Sequence, residues 1–187
     1  MTVSLNGWPV PPKHLVTKKV PGADRRLTLA KDAAPILLAV AADYIKSVKR
    51  IDQGTWDEGG YNNRDANGAP GKKSNHASGT AIDLNWSEEG AQGSSWGKRF
   101  FAQTKNQLAI QAMKRRYGKW VQWGGDWRAK DYMHWEIKPG VSPAAVKEAC
   151  VKLGINANGV RTKCFMPLGT SVVKNQAFVS VKKWLIA

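Results

Sequence analysis

The sequence is short of the residues that decide a protein's chemistry at a glance. Its 187 residues hold two cysteines, three histidines, and only 14 acidic side chains against 29 basic ones. Two cysteines, Cys150 and Cys164, cannot build a zinc knuckle without further ligands nearby. One disulfide between them stays open, although a protein made in a cytoplasm keeps its thiols reduced, so free or optionally paired thiols outside the active site are expected. Long apolar runs are missing as well. The most apolar stretch, 33–42, is about ten residues and contains Pro35, whereas a spanning helix needs about 20. Residues 1–12 lack the basic start and apolar middle of a signal peptide. HExxH, the helical zinc motif, is absent, which excludes that class of protease. Core-forming material is not scarce: 42% of residues are hydrophobic and nine are Trp. That excludes disorder and makes one domain with a small appendage the default.

Charge is the most unbalanced property. A net charge of +15 calls for an acidic partner, whether nucleic acid, anionic membrane or an anionic cell-wall polymer. Its distribution is more informative: residues 1–51 carry +6, 52–96 carry −4, 97–137 carry +6 and 138–187 carry +7. A nucleic-acid binder has no need of the acidic interruption, whereas a cation site does. Tryptophan is uneven too, with Trp56, Trp86, Trp96, Trp120, Trp123, Trp127 and Trp135 in one stretch of the chain. They read as a Trp-rich core or, alternatively, as the walls of a groove that stacks on sugars or peptides.

Along the chain, Pro9, Pro11, Pro12, Pro21 and Gly22 mark the first thirty residues as loop-like. Asp32 is placed to cap a helix over about 33–50, with Leu37, Val40, Ala41, Tyr44, Ile45 and Val48 on one face. Residues 52–73 read as a Gly/Asn/Asp-rich loop. From Gly79 to Asn85 the period becomes two, which puts Ala81, Asp83 and Asn85 on one face of a short strand. A Ser/Glu/Gly-rich loop runs on to Gly97. Thr104 and Gln107 match a capping box for a helix that stops at Gly118. Residues 120–123 and 133–137 read as further strands, and Ser142-Pro143 opens a last helix closed by Gly154. Helices and strands mix without strict βαβ alternation, which predicts an α+β fold.

Two of the histidines lie in polar, motif-like settings: Ser74-Asn75-His76-Ala77-Ser78-Gly79-Thr80-Ala81-Ile82-Asp83 and Asp131-Tyr132-Met133-His134-Trp135-Glu136. A hydrolytic zinc site needs three protein ligands and an open position. His76, Asp83 and His134 supply two imidazoles and a carboxylate, provided that a turn at Ser78-Gly79 folds His76 back beside the strand carrying Asp83. Such a metal acidifies water and polarises a carbonyl. Asp131, three residues before His134, is placed to move the proton. Glu136 is a rival base, but it shares a strand face with His134 and fits better as the partner that orients it. His14 lies outside both motifs and is expected at the surface.

The pattern SxHxxGxAxD followed by DxxH resembles the zinc D-alanyl-D-alanine carboxypeptidase and L-alanyl-D-glutamate endopeptidase family, which includes many phage endolysins. The resemblance extends to Gly60-Tyr61-Asn62-Asn63-Arg64 and Trp123-Gly124-Gly125-Asp126-Trp127, and so covers about residues 50–137. It implies a compact domain, Hedgehog/DD-peptidase-like, with a small antiparallel sheet flanked by helices. It implies one zinc ion on His76, Asp83 and His134, with Asp131 as general base and acid. Arg64 matches the arginine that anchors or polarises a substrate group, and Ser74 a substrate-side hydroxyl. Asp rather than Glu at 131 resembles the endopeptidase branch.

The resemblance therefore implies a zinc-dependent peptidoglycan hydrolase that cuts an amide bond of the stem peptide. Such a phage endolysin would be made in the host cytoplasm without a signal peptide and would act at the cell wall. A virion- or tail-associated wall component is the nearer alternative, and a basic nucleic-acid-binding protein the more distant one. The expected organisation is a peptidase domain over 1–138 and a basic extension over 139–187. That extension reads as packed on the same domain, with a wall-binding module or a docking segment as the other readings.

Overall fold

A computed structural model describes residues 1–54, 56–89 and 94–162. The described chain is a mixed α+β fold: a helical layer packs against small antiparallel sheets. The first thirty residues, expected as loop, hold a hairpin. Strand β1 (Leu15–Lys19) pairs with β2 (Arg26–Ala30) in register from Leu15↔Ala30 to Lys19↔Arg26. The prolines lie outside both strands, and the Arg-Leu-Thr-Leu-Ala alternation turns Leu27 and Leu29 into the core.

Helix α1 (Ala34–Ser47) is the central packing element, with Ile36, Leu37, Leu38, Val40 and Tyr44 fully buried. It is shorter than expected at both ends. Its N-cap is Ala33 rather than Asp32, and Pro35 pre-sets the backbone of the first turn. Within 52–73, also expected as loop, the two-residue β3 (Asp65–Ala66) and β4 (Ala69–Lys73) form a hairpin around Asn67-Gly68. Two further helices occupy the supposed loop before Gly97 and beyond it: α2 (Trp86–Glu89) and α3 (Ser95–Ala102), the latter capped by Ser94 Oγ accepting from Gly97 N at 2.9 Å. Helix α4 (Thr104–Tyr117) follows. The capping box does not form, because Gln103 is the N-cap and Thr104 already lies in the helix.

Three short strands complete the sheet that matters most: β5 (Ala81–Asp83), β6 (Val121–Trp123) and β7 (His134–Ile137), in the order β5-β7-β6. Its register pairs Asp83 with His134, Ile82 with Trp135 and Ala81 with Glu136, while Gln122 also lies opposite Glu136. Side chains alternate across a sheet. One face therefore carries Asp83, His134, Glu136 and Gln122, and the other turns Ile82, Trp135, Trp123 and Ile137 into the core. A single 3-10 turn, Gly124–Asp126, follows β6.

Helix α5 (Pro143–Leu153) starts at Ser142, whose Oγ accepts from Ala145 N, and ends at left-handed Gly154. Val146, Ala149, Leu153 and Ile155 join the same core, and Arg161 reaches Asp43 of α1 at 3.0 Å. Residues 139–162 thus pack on the helical layer. The remainder of the basic extension, including Cys164, lies outside the described residues. Cys150 is a buried free thiol whose pKa burial pushes up to about 11. Among the described residues, no helix is long and apolar enough to cross a membrane.

Candidate metal centre and active site

The sheet register sets two corners of the site directly. Asp83 ends β5 and His134 begins β7 as cross-strand partners, with Asp83 Oδ1 2.9 Å from His134 Nδ1. His76 arrives from a turn whose backbone is closed by Ala77 N to Ser74 O, Gly79 N to His76 O and Thr80 N to Asn75 O. Gly79 is required there. Its φ is +65°, and a Cβ would lie 2.5 Å from Ala30 N of β2. The turn thus packs against the first hairpin and delivers His76 Nε2 to 3.2 Å from both Asp83 Oδ2 and His134 Nδ1. All three residues are buried, and their ligand atoms lie within 4.8 Å of one another.

The hydrogen bonds on the far side of each ring decide which nitrogens face inward. His76 Nδ1 meets the carbonyl of Gly60 at 2.6 Å, which can only accept, so Nδ1 carries the proton. His134 Nε2 meets Glu136 Oε2 at 2.8 Å. Burial alone would raise the Glu136 pKa, but its bonds to His134, Asn75 and Gln122 hold it down, so an ionised carboxylate receives the Nε2 proton. The lone pairs of His76 Nε2 and His134 Nδ1 therefore converge on each other and on a carboxylate, with no donor among them. Three acceptors at hydrogen-bond distance need a cation between them. In the metal-free chain a proton fills that need. Burial opposes charge on His134, yet Asp83 and Glu136 override it and push its pKa up to about 10. Burial likewise opposes charge on Asp83, yet both histidines hold it far below the carboxylate range. Two imidazoles and one carboxylate form a borderline-soft donor set that fits zinc.

Asp131 stands at the edge of this cluster. Its backbone is fixed by donation from Asp131 N to Gly124 O at 3.0 Å and from His134 N to Asp131 O at 3.3 Å. Gly124 must lack a side chain, because a Cβ would lie 2.4 Å from Asp131 O and 3.2 Å from His134 Cβ. Here the glycine pair that precedes the second motif acquires its reason. The Asp131 carboxyl is buried and its Oδ1 has no hydrogen-bond partner. Burial raises its pKa and the Asp83 charge adds to the rise, while His134, His76 and Arg64 oppose it. Such a carboxyl suits proton transfer. Trp127, half-buried, walls the cluster with its ring centroid 5.1 Å from that of His134.

The two remaining predicted residues are less central. Arg64 is half-buried and donates to Asp65 O and Asn67 Oδ1 on the β3–β4 hairpin, within electrostatic reach of Asp131. Ser74 is buried, and its Oγ accepts from His76 N at 3.2 Å. His14 is exposed, as expected.

Other residues of the site escaped the sequence reading. Glu136 receives Asn75 Nδ2 and Gln122 Nε2, each at 2.6 Å, in addition to His134. Asn75 in turn accepts from Asn6 N at 2.8 Å, and Asn6 Nδ2 donates to Thr80 Oγ1 and Ile137 O. The N-terminal segment is therefore built into the support of His134. Asn75 and Gln122 carry a sequence signal, one beside His76 and the other opposite Glu136 once the strands are paired. Asn6 carries none.

No curated protein and no solved structure gives a significant match to the chain. Residues 67–137 match the family model described as D-alanyl-D-alanine carboxypeptidase, a stretch that holds His76, Asp83, Asp131 and His134 and supports reading the chain as a peptidase of that kind.

Proposed function

We propose that the chain is a zinc-dependent peptidoglycan peptidase that hydrolyses an amide bond of the stem peptide. The observation that carries this reading is the convergence of the ligand atoms of His76, Asp83 and His134 within 4.8 Å of one another, beside a buried carboxyl whose Oδ1 has no hydrogen-bond partner. Zinc held by those three side chains would supply Lewis acidity, acidifying water and polarising a carbonyl oxygen. Asp131 would take the proton of the attacking water through its unpaired Oδ1 and return it to the departing amine. Burial raises its pKa above the ordinary carboxylate value, which makes it a better proton carrier than an exposed aspartate. Arg64 would hold a carboxylate or carbonyl of the stem peptide, as a planar and permanently charged donor can. Ser74 supports His76 through its backbone, and its hydroxyl proton is the part that would meet substrate. Trp127 and the buried surroundings would exclude bulk water, which strengthens every charge interaction in the site.

The short arm of Asp131 favours an L-alanyl-D-glutamate endopeptidase, whereas the description of the matched family names a carboxypeptidase. We further read the protein as phage-encoded and acting at the wall, where its basic exterior would concentrate it on anionic polymer. A zymogram on bacterial walls combined with metal analysis tests the reading. One zinc per chain and clearing abolished by chelator are expected. Clearing that persists in chelator, or zinc retained after His76→Ala and His134→Ala, would overturn it.

A further inference from the structure

Two indoles remain open to solvent while the other described tryptophans are buried or half-buried: Trp56 is 69% exposed and Trp86 40%. Gly59 and Asp83 exchange backbone hydrogen bonds at 3.0 and 2.9 Å, and Trp86 N donates to Asp57 O at 3.0 Å. The two rings therefore spring from neighbouring chain segments that also carry the proposed ligand Asp83.

Each ring is supported from behind. Trp86 lies on the backbone of Gly59, where a Cβ would come within 2.9 Å of its Cζ3. Trp56 carries the guanidinium of Arg25 at 4.5 Å from its ring centroid. Arg25 is itself held by Glu58 Oε2 at 2.8 Å and by the carbonyls of Asp24 and Gly54. Next to it, Asp57 Oδ2 accepts from Ser87 N at 3.2 Å and from Ser87 Oγ, which fixes the start of α2 beside Trp86. The adjacent buried carboxylates Asp57 and Glu58 thus hold the supports of both rings, a role that the hydrolytic chemistry does not use. Leaving two indoles exposed forgoes the burial that favours large aromatics, so their fixed placement calls for a ligand.

The surroundings indicate which one. A protein-binding patch is contiguous and apolar at its centre. Here the neighbours Gln53, Gly54 and Ser87 are exposed and polar or lack a side chain. Separate flat rings among polar residues suit a ligand with apolar faces and polar edges, as a pyranose ring has. We propose that Trp56 and Trp86 form a stacking platform for the sugar rings of the peptidoglycan glycan strand, alongside the site that takes the stem peptide. This proposal rests on the peptidoglycan reading and deepens it by naming a second part of the substrate.

The test is calorimetric titration of the full-length protein with glycan strands stripped of their peptides. The wild type binds them, and Trp56→Ala and Trp86→Ala each weaken binding about fivefold to tenfold, the scale of a lost aromatic stacking contact. Trp56→Tyr and Trp86→Tyr keep a flat ring and stay within about twofold of the wild type. The proposal is overturned if the wild type does not bind the strands, if the alanine variants bind like it, or if the tyrosine variants lose as much as the alanine ones. Strand binding without cleavage of stem peptides would retain the platform and remove the peptidase reading. Cleavage without strand binding would do the reverse.

Discussion

Glu136→Gln tests how far the metal centre depends on its supports. The Glu136 carboxylate accepts three N–H donors: Asn75 and Gln122 at 2.6 Å each and His134 at 2.8 Å. A glutamine offers one acceptor oxygen and one NH₂, so at least one of the three donors meets another donor. If the NH₂ faces His134, the ring must move its proton to Nδ1 and the inward lone pair is lost. If the oxygen faces His134, a charge-assisted bond becomes a neutral one, a loss of about 1 kcal/mol from about 1.5–3 to about 0.5–1.5. Loss of such a supporting partner typically weakens metal affinity about 10–100-fold, or about 1.4–2.7 kcal/mol. Competition with a chromophoric zinc chelator measures it directly, with the melting temperature of the metal-free protein followed in parallel. A variant that binds zinc within about twofold of the wild type would refute the argument that Glu136 fixes the His134 tautomer.

Three other outcomes are expected. Asp131→Asn keeps the size of the side chain and removes its base; hydrolysis of walls should fall about 10²–10⁴-fold with zinc content unchanged, and loss of zinc instead would make Asp131 a ligand. Gly124→Ala forces a Cβ against Asp131 O, so destabilisation of about 1–3 kcal/mol is expected, read as a fall in melting temperature of about 2–4 °C per kcal/mol. Glu58 is pushed up to about 7 by burial and by Asp57, against the pull of Arg25. The folded state then holds a proton that the unfolded chain, at its ordinary 4.5, has released, so this group's contribution falls as pH rises from about 4.5 to 7 and levels off above. Urea titrations at both ends of that window check it: Glu58→Gln, which mimics the protonated form, should flatten the slope, and a slope equal to the wild type's would contradict the assignment.

The residues of the candidate site sit in short local patterns. The period-two stretch around Ala81-Ile82-Asp83 needs a turn at Ser78-Gly79 to bring His76 beside Asp83, the grouping with His134 rests on the resemblance of the two motifs to a known family, and the structure pairs Asp83 with His134 across two short strands. The first hairpin was not legible. Six residues among the first 22 are proline or glycine and mask the alternation in Arg26–Ala30. The support of His134 was only half visible: Glu136 follows from strand period, but its link to Asn6 joins residues more than a hundred positions apart through Asn75. No local pattern encodes such a contact. The tryptophans divide between core and surface. Trp120, Trp123 and Trp135 are core, whereas Trp56 and Trp86 are exposed.

Hydrolysis of the stem peptide is proposed to need a metal held by His76, Asp83 and His134 and a proton carried by Asp131 from the attacking water to the departing amine. Mass spectrometry of muropeptides released from purified walls by the zinc-loaded protein tests it most directly. Fragments that have gained one water at a stem-peptide amide, at L-alanyl-D-glutamate or D-alanyl-D-alanine, are expected, with none from the folded Asp131→Asn protein. Walls that release nothing, or the same fragments from wild type and Asp131→Asn alike, would contradict it.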